Sequence, residues 1–329
     1  MVYRLHFGEA DLLRCRFAVS PLWETQEAVR TLARPERHGY QLPWLRRIRR
    51  AAAGLDLAPL WLLMPQRGHT PDCLGPPPIG PAATFEEEIA AVRAADPAAA
   101  RDDIAQSLAC TPGASDSVTG RAMLDDPGRT VRDMAALLER AWRALVEPDW
   151  PRLRALLEAD VAFHSRRLAE VGLGGLLGEL NPRLAWSGDG RTLTIDRPGA
   201  YERTLGGQGL VLMPSVFCWP DVVSGFEPPW QPTVVYPVRG IGGLWTGAAE
   251  RTPQSLARLL GRGRADVLCA LEEPASTSAL AHALGLAPSS VSAHLSVLRD
   301  AGLLVSRRYG HQVLYARTPL GVALASMEA

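Results

Sequence analysis

Apolar positions recur with a helical period over most of the first 180 residues. The clearest stretch runs from Thr130 to Val146, where Val131, Met134, Leu137, Leu138, Ala141 and Leu145 share one face. Residues 9–64 read as helices punctuated by proline. Ser20-Pro21 has the form of an N-cap followed by proline at the first helical position, and Pro43 opens a basic segment, WLRRIRR. The period breaks at PQRGHTPDCLGPPPIGPAA, residues 65–83, because Pro76, Pro77 and Pro78 in succession cannot occupy a helix interior. Thr84 with Glu87 three residues on predicts a capping box at the start of another helix. Residues 85–180 are then mostly helical, with interruptions near 111–120 and 147–151.

The period changes after residue 183. LAW, TLTI, GLVLMPSVF and TVVYPV are strand candidates bounded by turn residues, and Glu227-Pro228-Pro229-Trp230 is a loop. This part of the chain reads as α+β, a mostly helical domain with a small antiparallel sheet, over residues 1–248. A second domain is expected over 249–329, where Gly261, Gly263 and the arginines around them mark the passage.

In that second domain QSLARLLG and RADVLCALEE predict two short helices. Thr277 caps a third, SALAHAL, which stops at Gly285. Pro288 opens a fourth that runs to about Asp300 and stops at Gly302. LLVSRR and QVLYAR follow as two short strands joined by Tyr309-Gly310-His311. Helix, helix–turn–helix and hairpin in this order outline a winged helix-turn-helix, a DNA-binding form whose second turn helix enters the major groove. On that helix Val291, Leu295 and Leu298 point inward. The opposite face carries Ser289, Ala293 and Ser296, with Ser290, Ser292 and Val297 beside it and His294 and Arg299 on its flanks. The face is small and uncharged, so it can approach bases and phosphates closely, and the free amides of the helix start favour an anion. Charge comes chiefly from the hairpin, through Arg307, Arg308, His311 and Arg317, suited to phosphate contact.

The segment ALAHALGLAPSSVSAHLSVLRDAGLLVSRRYGHQVLYAR resembles the winged helix-turn-helix of ArsR/SmtB-type bacterial transcriptional regulators. The features that carry the resemblance are L-A-x-x-L-G-L, V-S-x-H-L-x-x-L-R-x-A-G-L-L and the R-R-x-G-x-x-x-x-Y wing. HTPDCLGPPP, FEEEIAAVRA and TVVYPVRGIGGLW are similar to a domain of unknown function joined to such regulators in actinobacteria. The resemblance implies a cytoplasmic homodimer that binds double-stranded DNA at a palindromic operator, most simply as a repressor. Ala287 stands where the family often has a serine cap, worth roughly 1 kcal/mol, and Ala293 stands where a polar base-contacting residue is common. The ligand pair of the metal sensors is absent: Cys269 sits in VLCALEE, so neither metal nor cofactor is expected. Leu320, Ala323, Leu324 and Met327 form a stripe suited to a dimer seam.

Composition narrows the reading without redirecting it. The 329 residues include 47% apolar and 21% charged positions, a globular balance that excludes wholesale disorder. All 35 cations are arginine and 35 acids offset them, so an all-over basic coat is excluded while local basic patches are not. Five scattered cysteines without a C-x-x-C read as reduced thiols, and the N-terminus lacks the apolar core of a signal peptide. Trp23, Trp44, Trp61, Trp142, Trp186 and Trp219 provide apolar surface for an organic effector, with Trp219, Tyr236 and Arg239 as candidate contacts. Ser215 and Cys218 lack a nucleophile elbow and a nearby base, so no enzyme is expected. The alternative to a regulator is a protein–protein adaptor or structural dimerisation protein whose winged domain has lost DNA contact.

Overall fold

The structure is a computed structural model. It describes all residues except 1, 35–40, 66–67, 198, 219–220, 226, 242–243, 245–253, 273, 285, 310–311 and 326–329, and the side chains of 42, 43, 282, 283, 309 and 312. The backbone divides into two units, Met1–Ala33 with Ile48–Pro237, and Arg34–Arg47 with Val238–Ala329. The domain boundary expected at residue 249 falls outside the described residues.

The first unit opens with strand β1 (Tyr3–His6), a single helical turn α1 (Glu9–Leu12) and strand β2 (Arg16–Phe17). Helix α2 (Pro21–Ala33) starts as its sequence dictates: Trp23 N donates to Ser20 Oγ at 2.9 Å, and Pro21 occupies the first helical position. Helix α3 (Leu42–Ala53), whose residues up to Arg47 are assigned to the second unit, buries Trp44 and Ile48 and exposes Arg46, Arg47, Arg49 and Arg50. After α4 (Ala58–Leu63), the HTPDCLGPPP segment makes only a 3-10 turn at Asp72–Leu74. Helix α5 (Phe85–Arg93) carries the expected capping box, with Glu87 N on Thr84 Oγ1 at 3.2 Å and Thr84 N on Glu87 Oε2 at 2.9 Å. Helices α6 (Pro97–Ala109), α7 (Val118–Asp125) and α8 (Pro127–Ala141) follow, and the apolar stripe of α8 is buried.

Helix α9 (Trp150–Leu180) is broken at Gly172, whose φ of 70° and ψ of 176° are essentially restricted to glycine. Arg167 Nη2 reaches Glu179 Oε1 at 2.8 Å. Twelve residues of straight helix would separate the two by about 18 Å, so the chain turns sharply at Gly172. The second half of α9 then lies on the sheets through Leu176, Leu177 and Leu180.

Six strands complete the unit: β3 (Leu184–Trp186), β4 (Thr192–Ile195), β5 (Tyr201–Thr204), β6 (Val211–Ser215), β7 (Val223–Gly225) and β8 (Thr233–Pro237). They form two sheets, ordered β3-β4-β1-β5 and β2-β6-β8-β7. The α+β class is as expected, but both sheets are mixed rather than antiparallel. β1 runs parallel to β5, and β2, β6 and β8 run parallel to one another. Parallel partners must come from distant parts of the chain, here the first 17 residues and those beyond 200, which no local period reveals. Strand β6 alternates: Leu212 faces the core shared with α9, while Val211 and Met213 face a second core with Ala18 and Trp23.

The second unit contains α10 (Gln254–Leu260), α11 (Arg262–Ala270), β9 (Ala275–Ser276), α12 (Thr277–Leu284), α13 (Pro288–Asp300), β10 (Leu304–Tyr309), β11 (Gln312–Arg317) and α14 (Pro319–Ala325). The strands form one sheet, β10-β11-β9. The core joins Val267, Leu268 and Leu271 of α11 and its end, Leu280 of α12, Val291, Leu295 and Leu298 of α13, and Leu303 and Leu304. One expectation is corrected by a residue. The cap of α12 is Ser276, whose Oγ accepts from Ala279 N at 3.2 Å, because the short strand β9 holds Ser276 in the extended backbone a cap requires.

Candidate nucleic-acid interface

Helices α12 and α13 meet through a short turn in which Leu286 N donates to Ala281 O at 3.0 Å. Ala287, the N-cap of α13, is extended at φ −65°, ψ 137° and supplies no side-chain hydrogen bond. Pro288 stands at N1 and has no N–H to satisfy. The start of α13 therefore keeps the positive end of its dipole uncovered by any side-chain cap. Burying Val291, Leu295 and Leu298 turns Ser289, Ser290, Ser292 and Ala293 outward, all exposed, with Ser296 half-buried. Val297 extends the same ridge and is 48% exposed. Arg299 lies on the flank and bonds Asp300 Oδ1 through Nε and Nη2 at 3.2 and 3.1 Å. His294 does not share the outward face. It packs on Gly263 of α11 so closely that a Cβ built there would lie 2.8 Å from its Nε2.

The hairpin β10–β11 pairs Arg307 with Leu314 and Arg308 with Val313. Both arginines are exposed. As neighbours on a strand they leave opposite faces of the hairpin. His311 lies outside the described residues. Arg317, expected as a fourth contact, belongs elsewhere. It is 5% exposed, and its Nε and Nη2 donate to the carbonyls of Leu268 and Cys269 at 2.8 and 2.5 Å. These carbonyls end α11, where the last turn has no helical donors, and the end of β11 brings a five-donor guanidinium to them. Arg317 is a helix cap inside the domain, not a DNA contact.

Residues 262–307 match a helix-turn-helix domain, spanning α11 to the middle of β10. The chain carries a helix-turn-helix domain. Residues 81–242 match a family of unknown function (DUF5937). No curated protein and no solved structure matches the chain. The helix-turn-helix domain supports a DNA-binding transcriptional regulator, and α13 is the helix in the position of the groove reader. The match ends at Arg307, so the second strand of the wing is known from its geometry. Val297, placed beside this face by its period, was not counted among the DNA contacts because it carries no polar group to bond a base or a phosphate.

The first unit holds the remaining candidates. Tyr236 is fully buried, and its hydroxyl donates to Asp160 Oδ2 at 3.0 Å, with His164 edge-on to its ring. Burial, then the Asp160 charge, drive the phenol well above its ordinary range. A phenol sealed and satisfied inside the core cannot anchor a ligand, which corrects that expectation. Arg239 is exposed, and Trp219 lies outside the described residues. Ser215 and Cys218 are buried, and burial raises the Cys218 thiol well above its usual range. Two open clefts flank the loop at cis Pro228-Pro229. One, about 530 Å³, is lined by Arg14, Arg16, Gln208 and Gln231 among others; its neighbour, about 430 Å³, by Tyr201, Arg203 and Glu227. Among the described residues there is no group of three or more His, Cys, Asp or Glu placed to hold a metal, and no helix is long and apolar enough to cross a membrane.

Two buried carboxyls brace this unit. Glu24 of α2 accepts from Val216 N at 3.0 Å, and Glu88 of α5 from Leu22 N at 2.8 Å. Burial pushes Glu24 up to about 8 and Glu88 up to about 7. The HTPDCLGPPP segment is held similarly: His69 Nε2 bonds Asp103, Cys73 N donates to Asp103 Oδ2 at 2.9 Å, and Gln26 Nε2 donates to Leu74 O at 2.7 Å. These contacts give the motif a scaffolding role.

Proposed function

We propose that the protein is a cytoplasmic transcriptional repressor of ArsR/SmtB type that binds a palindromic operator as a homodimer. Residues 249–329 bind DNA and residues 1–248 regulate that binding, without catalysis. The observation that carries the reading is the matched helix-turn-helix segment whose outward helix face is small and polar and is flanked by the exposed wing arginines Arg307 and Arg308. Ser289, Ser290, Ser292, Ala293, Ser296 and Arg299 lie toward the groove. A two-fold dimer places two such helices about one DNA turn apart. Leu320, 55% exposed on α14, supports a dimer seam there, although Leu324 of the same stripe packs on its own domain. The effector reading draws on the tryptophan content of residues 1–248, since the two clefts beside Gln208 are shallow and open to solvent. A ligand that distinguishes two conformations would change operator affinity roughly 5–150-fold.

A salt-titrated mobility shift of the full chain on its own upstream DNA tests the core of this reading. Retarded DNA that is released as salt rises supports it. The uncharged face of α13 favours one second reading, an adaptor that has lost DNA contact, and absence of binding to any duplex at low salt would select it. For the effector, a metabolite that raises the melting temperature and also alters operator affinity is the expected result. Ligands that do neither would reduce residues 1–248 to a dimerisation scaffold.

A further inference from the structure

The base preference of the helix-turn-helix domain follows from what its outward face lacks. Guanine is read by a bidentate Arg or Lys, and adenine by a bidentate Asn or Gln. Helix α13 has no Lys, Asn or Gln, and its one arginine, Arg299, is bonded to its neighbour Asp300 near the far end. His294 is turned onto Gly263. The hydroxyls of Ser289, Ser290, Ser292 and Ser296 serve either base type and discriminate little. What remains is an apolar ridge, Ala293 exposed and Val297 48% exposed, one turn apart on the groove side of the helix.

The thymine C5-methyl is the apolar group on the major-groove edges of the base pairs. Ala293 and Val297 are separated by about 6 Å along the helix, close to two base steps of about 3.4 Å. We infer that Ala293 and Val297 read the methyl groups of two thymines about two steps apart in each operator half-site. The inference rests on the DNA-binding reading above and adds the bases that it prefers. The wing arginines supply affinity, and this ridge supplies sequence preference.

The test begins with selection of a binding site from random duplexes by the full-length protein at fixed salt. Each thymine of the selected site is then replaced by uracil, which removes the methyl and leaves every hydrogen-bonding edge unchanged. Two positions per half-site should respond, each by roughly threefold to fivefold weaker binding, the value of one buried methyl group. Val297→Ala, an exposed substitution that leaves the core intact, should abolish the uracil effect at one of them, and Ala293→Ser at the other. This coupling is not produced by a general loss of affinity. A selected site fixed by G·C pairs, or one in which uracil is neutral throughout, would overturn the inference and leave DNA binding standing. No enrichment from the random pool, with no binding at low salt, would instead remove the DNA-binding reading on which it rests.

Discussion

Arg317→Met separates an arginine that holds the fold from those that hold DNA. The substitution keeps much of the apolar stem and withdraws two hydrogen bonds, from Nε to Leu268 O at 2.8 Å and from Nη2 to Cys269 O at 2.5 Å. Bonds from a charged donor contribute about 1.5–3 kcal/mol each. Of that roughly 3–6 kcal/mol, methionine recovers a part by sparing the burial of a guanidinium. The net loss is therefore roughly 2–3 kcal/mol, a 30- to 150-fold increase in the open population of the C-terminal domain. Hydrogen exchange read by mass spectrometry on α11 peptides reports it directly, with α11 amides exchanging faster by about that factor. The salt dependence of DNA binding, measured on the active fraction, should keep its wild-type slope, whereas Arg307→Ala should lower it by about one. Unchanged α11 exchange together with a slope reduced by one would refute the reasoning and return Arg317 to the phosphate backbone.

Two further outcomes concern the first unit. Glu24 titrates at about 8 in the folded protein against an ordinary 4.5, so folding takes up a proton; its contribution is complete below about pH 4.5 and is lost as pH rises through 8. Glu24→Gln should thus gain stability over wild type progressively from pH 5 to 8, by roughly 3–4 kcal/mol at the upper end, in paired chemical denaturation series; a pH-independent difference would deny the buried proton. Gly172→Ala forces an alanine into φ 70°, ψ 176° and should cost about 1–3 kcal/mol, although its Cβ meets nothing within 4 Å. Gly178→Ala, on the helical half of α9 and equally open, should stabilise by about 0.4–1 kcal/mol. Melting temperatures shifting in the same direction for both would contradict the break at Gly172.

What was legible in the sequence was local. Ser20 with Pro21, Thr84 with Glu87, and the α8 stripe each write a helix start or a buried face within a few residues, and all three formed as written. The order of helices and hairpin in the C-terminal domain was legible for the same reason, since each piece has its own stop signal. The strands β1, β2 and β5 were not, being two to four residues long and paired with segments almost the whole chain away. Nor was the role of Arg317: a charged residue at a strand end reads as surface until the end of α11 is placed against it. Tyr236 as a ligand anchor gave way to core packing, because which polar side chain a fold turns inward depends on its neighbours in space, whereas His294 keeps the flank of α13, half-buried, as its period places it. Gly172 stands with Gly174, Gly175 and Gly178 in a glycine-rich run that weakens the helical pattern without marking which residue turns.

The helix-turn-helix domain of this chain is proposed to bind DNA through α13 and the wing. The most direct test is the affinity of the full-length protein for one selected duplex between 50 and 200 mM salt, for wild type and for Arg307→Ala/Arg308→Ala. Log affinity should fall linearly with log salt, and the double variant should bind every sequence more weakly, with a slope smaller by one to two. A double variant that follows the wild-type line, or a wild type that binds no duplex at 50 mM salt, would contradict the proposal.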